Sequence, residues 1–142
     1  MQFLEKLKPL GLLVLRLALG ASFFYHGYPK LSEPAHALKA FPGYGFPSYF
    51  AYISGILEVF GGGLLIAGLF TRGAALLLTI EMALVLSRTI IPSSGIYAFG
   101  RYETPLLLGA MSLALVTTGA GAISLDAFTF ESPRKSPKKS KK

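Results

Sequence analysis

Cysteine and tryptophan are both missing from this 142-residue chain. Without a thiol there is no disulfide framework, no thiolate metal site, no iron–sulfur cluster and no thiol-exchange chemistry within the chain. Charge is scarce as well: Asp, Glu, Lys and Arg make up 15% of the residues, against about 25% in an ordinary soluble domain. That is too little to clothe a water-exposed surface. The 52% hydrophobic content, with a mean hydropathy of +0.54, is in turn too much for the core of one domain. This is the composition of a membrane protein. Zinc-ligand spacing, a phosphate-binding Gly-rich loop and a Ser-His-Asp order are all lacking, so neither a metal site nor a self-contained catalytic motif is expected. The two histidines fall one in an apolar stretch (His26) and one in a Pro-flanked loop (His36), which leaves a bis-histidine haem without its pair.

What charge there is leans basic. Fourteen Lys and Arg against seven Asp and Glu give a net charge of +7. Six of the basic residues follow Ser132, in SPRKSPKKSKK, so the excess belongs to a tail, taken as residues 129–142 and expected to be disordered. Its two Ser-Pro-basic-basic units are similar to minor-groove-binding tails. A polybasic stretch after a last membrane helix reads instead as a topology signal and an anchor to anionic lipid, at about 1 kcal/mol per basic residue. Membrane lipid is therefore the expected partner, and nucleic acid is not.

Four apolar spans, near residues 10–28, 49–69, 73–91 and 104–122, approach the roughly 20 residues that cross a bilayer. They predict an all-α fold, a four-helix transmembrane bundle occupying residues 1–128. Arg16 inside the first span argues against a cleavable signal peptide. Lys6, Lys8, Arg72 and the tail share one side of such a protein, which places both termini in the cytoplasm and the chain in the inner membrane as a multi-pass protein. The short turn at 70–72 makes the second and third helices antiparallel neighbours. On the other side lies a long loop, 29–48, whose Phe41, Tyr44 and Phe46 suit the headgroup interface.

Three ionisable residues fall where lipid should be: Arg16, Glu58 and Glu81. Left unpaired they cost roughly 8 to 10 kcal/mol together, comparable to the whole stability of a typical protein, about 5 to 15 kcal/mol. They must face inward and find partners, and the expectation is that Arg16 lies between the two glutamates, which then share one proton. Helical spacing puts Ser54, Gly55, Glu58, Gly61 and Gly62 on one side of the second helix and Arg16, Gly20, Phe23 and Gly27 on one side of the first. Glu81 and Arg88 line a seam of the third. The fourth offers Glu103, Leu107, Ala110, Ala114 and Thr117. The resulting polar ladder, a ligand or proton cluster, has Arg16, Glu58 and Glu81 deep and His26, Lys30, Arg88 and Glu103 toward the outer face. The alternative for Arg16 is a purely mechanical staple between helices.

Two stretches carry a resemblance. RLALGASFFYHGYPKL, from Arg16 to Leu31, and GILEVFGGGLLIAGLFTR, from Gly55 to Arg72, resemble the DoxX family of small membrane proteins, with Arg16, His26, Gly27, Lys30, Leu31, Gly55, Glu58, Gly62, Gly68, Thr71 and Arg72 matching its pattern. The resemblance implies a four-helix integral membrane protein from a family linked to quinone-dependent oxidoreductases, including sulfur-compound oxidation, and to membrane redox complexes. With no cysteine, a redox role would need a bound quinone or a partner protein. Three functions follow. The first is a small membrane subunit holding a quinone or similar ligand for a membrane or peripheral oxidoreductase subunit, with Arg16, Glu58 and His26 supplying hydrogen bonds. The second is a solute or proton carrier, which with four short helices would have to form a homodimer. The third is a non-catalytic scaffold or assembly protein.

Overall fold

The computed structural model describes residues 2–90 and 99–130. The described chain is helical: α1 (Gln2–Ser32), α2 (Pro34–Ala40), a 3-10 turn (Phe41–Tyr44), α3 (Phe50–Ala67), α4 (Thr71–Ile90), α5 (Phe99–Thr118) and α6 (Leu125–Phe130). No strand occurs among the described residues. Most of the basic tail, 131–142, lies outside them, and α6 runs across the boundary at 128.

The first helix differs from its expected range of 10–28. It begins at Gln2 and runs through Pro29 to Ser32. Proline lacks the amide that would bond to the carbonyl four residues back, but Glu33 N still donates to Pro29 O at 3.0 Å, so the helical path continues past the ring. The extra turn keeps Lys30 in register with Phe23 and Gly27, on the inward face rather than in a loop.

Packing between α1 and α3 is set by glycine. A Cβ on Gly20 would stand 2.6 Å from Gly62 O, and one on Gly62 would stand 2.6 Å from Gly20 O. Seven residues along each helix the arrangement repeats, with Gly27 against Gly55 O and Val59 N, and Gly55 against Leu31. Small residues that let backbones meet are how helices associate where no hydrophobic drive exists between them. Because the obstacle at Gly62 is backbone, it cannot swing aside. Gly62→Ala is expected to destabilise the protein by about 1–3 kcal/mol, read from denaturant titration in micelles; an unchanged midpoint would mean the helices are not held at this distance.

The turn from α3 to α4 is a Schellman motif. Gly68, at φ 70°, donates to Leu65 O, and Leu69 N donates to Leu64 O at 3.0 Å. Helix α4 then starts at Thr71, and its first amides are capped from across the molecule. Asp126, on α6, accepts from Phe70 N at 2.7 Å and Thr71 N at 2.9 Å, and its own amide donates to Gly68 O. An N-terminal cap of this kind satisfies donors that a helix cannot satisfy itself.

Helix α1 packs along α3, α4 along α5, and the hairpin joins the two pairs around Leu19, Phe23, Leu65, Leu78, Met82, Leu108 and Leu115. On α5 the buried face is Leu108, Gly109, Ser112 and Leu115. The expected seam of Glu103, Leu107, Ala110, Ala114 and Thr117 is exposed. Helix α5 is apolar around much of its circumference, so hydropathy does not single out a face. Close approach decides it: a Cβ on Gly109 would lie 3.1 Å from Met82 Cβ. Large apolar side chains cover the outside, among them Val14, Leu17, Ile56, Phe60, Leu77, Ile80, Leu107 and Leu113. Among the described residues, two helical segments, Leu4–Ser32 and Phe50–Ala67, are long and apolar enough to cross a membrane.

Candidate functional site

The antiparallel register of α1 on α3 determines which charges meet. Arg16 faces Leu65, Gly20 faces Gly62, Gly27 faces the Gly55–Val59 turn and Lys30 faces Ser54. At 1.5 Å per residue, Glu58 is therefore about 10 Å along the axis from the carbonyls opposite Arg16.

Arg16 does not lie between the glutamates. Its guanidinium is buried and donates from Nε to Leu65 O at 2.9 Å and from one terminal nitrogen to Ala120 O at 2.6 Å and Ile123 O at 3.0 Å. These acceptors lie in the last turn of α3, where Leu65 O also accepts from Gly68 N, and in the chain just after α5, where the helical ladder has ended. A planar fork with five N–H groups suits this task. Gly68 has to be glycine twice over, since a Cβ there would come 2.6 Å from the guanidinium carbon and φ is already positive.

The cation between the two carboxylates is Lys30. Its Nζ contacts Glu58 Oε2 at 2.5 Å and donates to Ser54 Oγ at 2.8 Å; Ser54 Oγ in turn donates to Glu81 Oε1 at 2.6 Å. Four side chains from α1, α3 and α4 thus form one connected chain of hydrogen bonds. Its last atom, Glu81 Oε2, is buried and has no hydrogen-bond partner among the described residues. Residue types made this pattern visible only in part. Ser54 stands four residues before Glu58, which puts it on the same face, but it reads as a small packing residue; Lys30 reads as a loop residue because Pro29 precedes it.

Above this chain opens a cavity of about 650 Å³. Lys30, Ser54 and Glu58 form its polar part, Met82, Val85 and Leu108 its apolar wall, and His26, Arg88 and Arg101 contribute further positive or donor groups. Phe41, Tyr44 and Phe46, from the loop after α2, line the same cavity. Phe46 stacks on Phe50 with centroids 4.8 Å apart, Lys30 Nζ lies 5.6 Å from the Phe41 centroid and the Arg88 guanidinium 5.7 Å from that of Phe46. Cation–π contacts of this sort hold the loop against the charged groups.

Of the residues expected in the cluster, His26, Lys30, Glu58 and Arg88 line the cavity, and Glu81 stands behind it through Ser54. Arg16 and Glu103 do not line it. Helix α5 faces the cavity with Arg101, Thr104, Pro105 and Leu108, the i, i+3, i+4, i+7 set, and this turns Glu103 to an exposed position. Arg101 was the cation that sequence reasoning passed over.

The family model described as DoxX matches residues 11–88, more than half of the chain and every residue of the Lys30–Ser54–Glu58–Glu81 network. The chain belongs to the DoxX family. Two relatives align along nearly their whole length. One, from Bacillus subtilis (strain 168), is described as "Putative oxidoreductase CatD" and is 34% identical over 124 residues, covering 86% of this chain and 89% of the relative. The other, from Haemophilus influenzae, is described as "Uncharacterized protein" and is 35% identical over 130 residues, covering 89% and 96%. No solved structure matches the chain. In this DoxX protein the matched segment ends at residue 88, so Arg101 and the α6 cap lie beyond it.

Proposed function

We propose that this DoxX protein is a four-span inner-membrane subunit, both termini cytoplasmic, that holds a quinone or a similar lipid-soluble ligand for an oxidoreductase partner. Support for four spans comes from the apolar side chains that α4 and α5, like α1 and α3, turn outward, a surface suited to acyl chains and unusual for a water-soluble monomer. The orientation rests on charge. The Arg16 end of the bundle gathers the start of α1 with Lys6 and Lys8, the start of α4 with Arg72, and the end of α5, and positively charged ends face the cytoplasm.

The observation that carries the ligand reading is the cavity. Its volume falls in the ordinary range for small-molecule sites, roughly 300–1,000 Å³. Quinone carbonyls accept hydrogen bonds and cannot donate them; Lys30, Arg88 and Arg101 can only donate. Phe41, Tyr44 and Phe46 offer faces for a flat ring. The residues therefore fit the group, which when bound would accept electrons from the partner. The name of the Bacillus subtilis relative points the same way. A carrier would need an exit at the opposite end, and there Arg16 and Asp126 bond the helix ends together, which favours a one-mouthed binding site.

The test is direct. Protein purified in mild detergent and extracted with organic solvent should release quinone near one per chain, and Lys30→Met should lower that ratio at least fivefold. Wild-type protein that carries no quinone and takes up none from quinone-loaded vesicles would rule the reading out.

A further inference from the structure

We infer that Glu81 is a proton store wired to the cavity through Ser54 and Lys30. The inference rests on the reading of the cavity as a ligand site and adds how a proton reaches that ligand. Glu58 lines the cavity and touches Lys30 directly, so the ammonium offsets its charge. Glu81 is one step further in, 3% exposed, joined to the rest by the Ser54 hydroxyl, with Oε2 buried and without a partner among the described residues. On α5, the buried Ser112 hydroxyl donates to Leu108 O of its own helix. One ammonium among two carboxylates leaves a negative charge in an apolar surround, where an uncompensated ion costs several kcal/mol. A proton on Glu81 cancels that charge.

The same contacts define a route out when the Ser54 hydroxyl turns: at rest Lys30 Nζ donates to Ser54 Oγ and Ser54 Oγ to Glu81 Oε1, and the transfer reverses both bonds. Lys30 Nζ breaks one N–H bond and gives the proton to a ligand oxygen that has become basic by taking electrons from the oxidoreductase partner. The Ser54 O–H proton passes to Nζ, and the Glu81 carboxyl proton passes to Ser54 Oγ. One O–H bond forms on the ligand for the one lost at Glu81; Lys30 and Ser54 end as they began, and Glu81 ends as a carboxylate beside a neutral site. Each hand-over spans a contact of 2.6 to 2.8 Å within the protein. Glu58 stays ionised throughout and positions the Lys30 amine. Reloading runs the same three transfers in reverse from the cavity mouth.

Infrared difference spectroscopy on the full chain in lipid nanodiscs, with and without a short-chain ubiquinone, tests this, with quinone reduced at an electrode and its binding followed separately by ultraviolet absorbance. The expected result is a protonated-carboxyl band at rest that is lost on reduction, is absent in Glu81→Gln, and moves to higher wavenumber in Ser54→Ala, which removes the hydroxyl bonded to Glu81 Oε1. Ser54→Ala should also slow the loss of that band at least tenfold, and Ser54→Thr should restore the rate. Bound quinone without a resting band, or with a band that Ser54→Ala leaves at the same wavenumber, overturns the store while leaving the ligand reading intact. A Glu81 band in a protein that binds no quinone removes the ligand, and the relay with it.

Discussion

Arg16→Met is expected to lower the stability of the purified protein by about 2–4 kcal/mol, because a carbonyl left without a donor away from water costs about 1–3 kcal/mol and two lose theirs, Ala120 and Ile123, while Leu65 O keeps the Gly68 amide. Methionine fills part of the volume but offers no hydrogen. Arg16→Lys should recover only part of the loss, since a single ammonium cannot serve acceptors on both α3 and the chain after α5. Denaturant titration in mixed micelles, followed by helicity, measures both. On the proposed ligand reading, quinone bound per folded molecule should stay the same, because Arg16 does not line the cavity. A loss under about 1 kcal/mol would mean that water already serves these carbonyls.

Lys30→Met is the second large effect, and it should differ from the first in being reversible by another substitution. Removing the ammonium strands Glu58 next to Glu81, and breaking a buried pair from one side costs about 3–5 kcal/mol. Glu58→Gln in the same chain takes away the stranded charge, so Lys30→Met with Glu58→Gln should regain at least half of the stability while remaining unable to hold quinone. The double-mutant cycle, read by the same titration, isolates the interaction. Additive losses in the double variant would mean that the two side chains do not share an environment.

Both effects depend on a register that the sequence shows only in part. The faces of α1 and α3 are legible because glycines and ionisable residues stand out against Leu and Ile: Gly20, Phe23 and Gly27 meet Gly55, Glu58 and Gly62 as their spacing predicts. Which charge lies opposite which is a different matter. It depends on the offset of two antiparallel helices, and Pro29 suggests a helix end where the helix continues, so Arg16 takes the place that Lys30 occupies. On α5, where Leu, Ala and Met cover several faces equally, periodicity carries little information and the contact at Gly109 decides. The capping role of Asp126 leaves no local trace, because the amides it serves are 55 and 56 residues away in sequence.

That distance has a consequence for how the chain is made. The groups that complete the first helix and the helical hairpin, Ala120 O, Ile123 O and the Asp126 carboxylate, are synthesised only after α1, α3, α4 and α5. A nascent chain ending at residue 118 would hold an uncovered guanidinium and two idle amides, whereas one ending at 130 would close like a latch. Protease resistance of membrane-inserted chains truncated at those two lengths should therefore rise abruptly between residues 118 and 130, making synthesis of that segment the moment at which the helices lock.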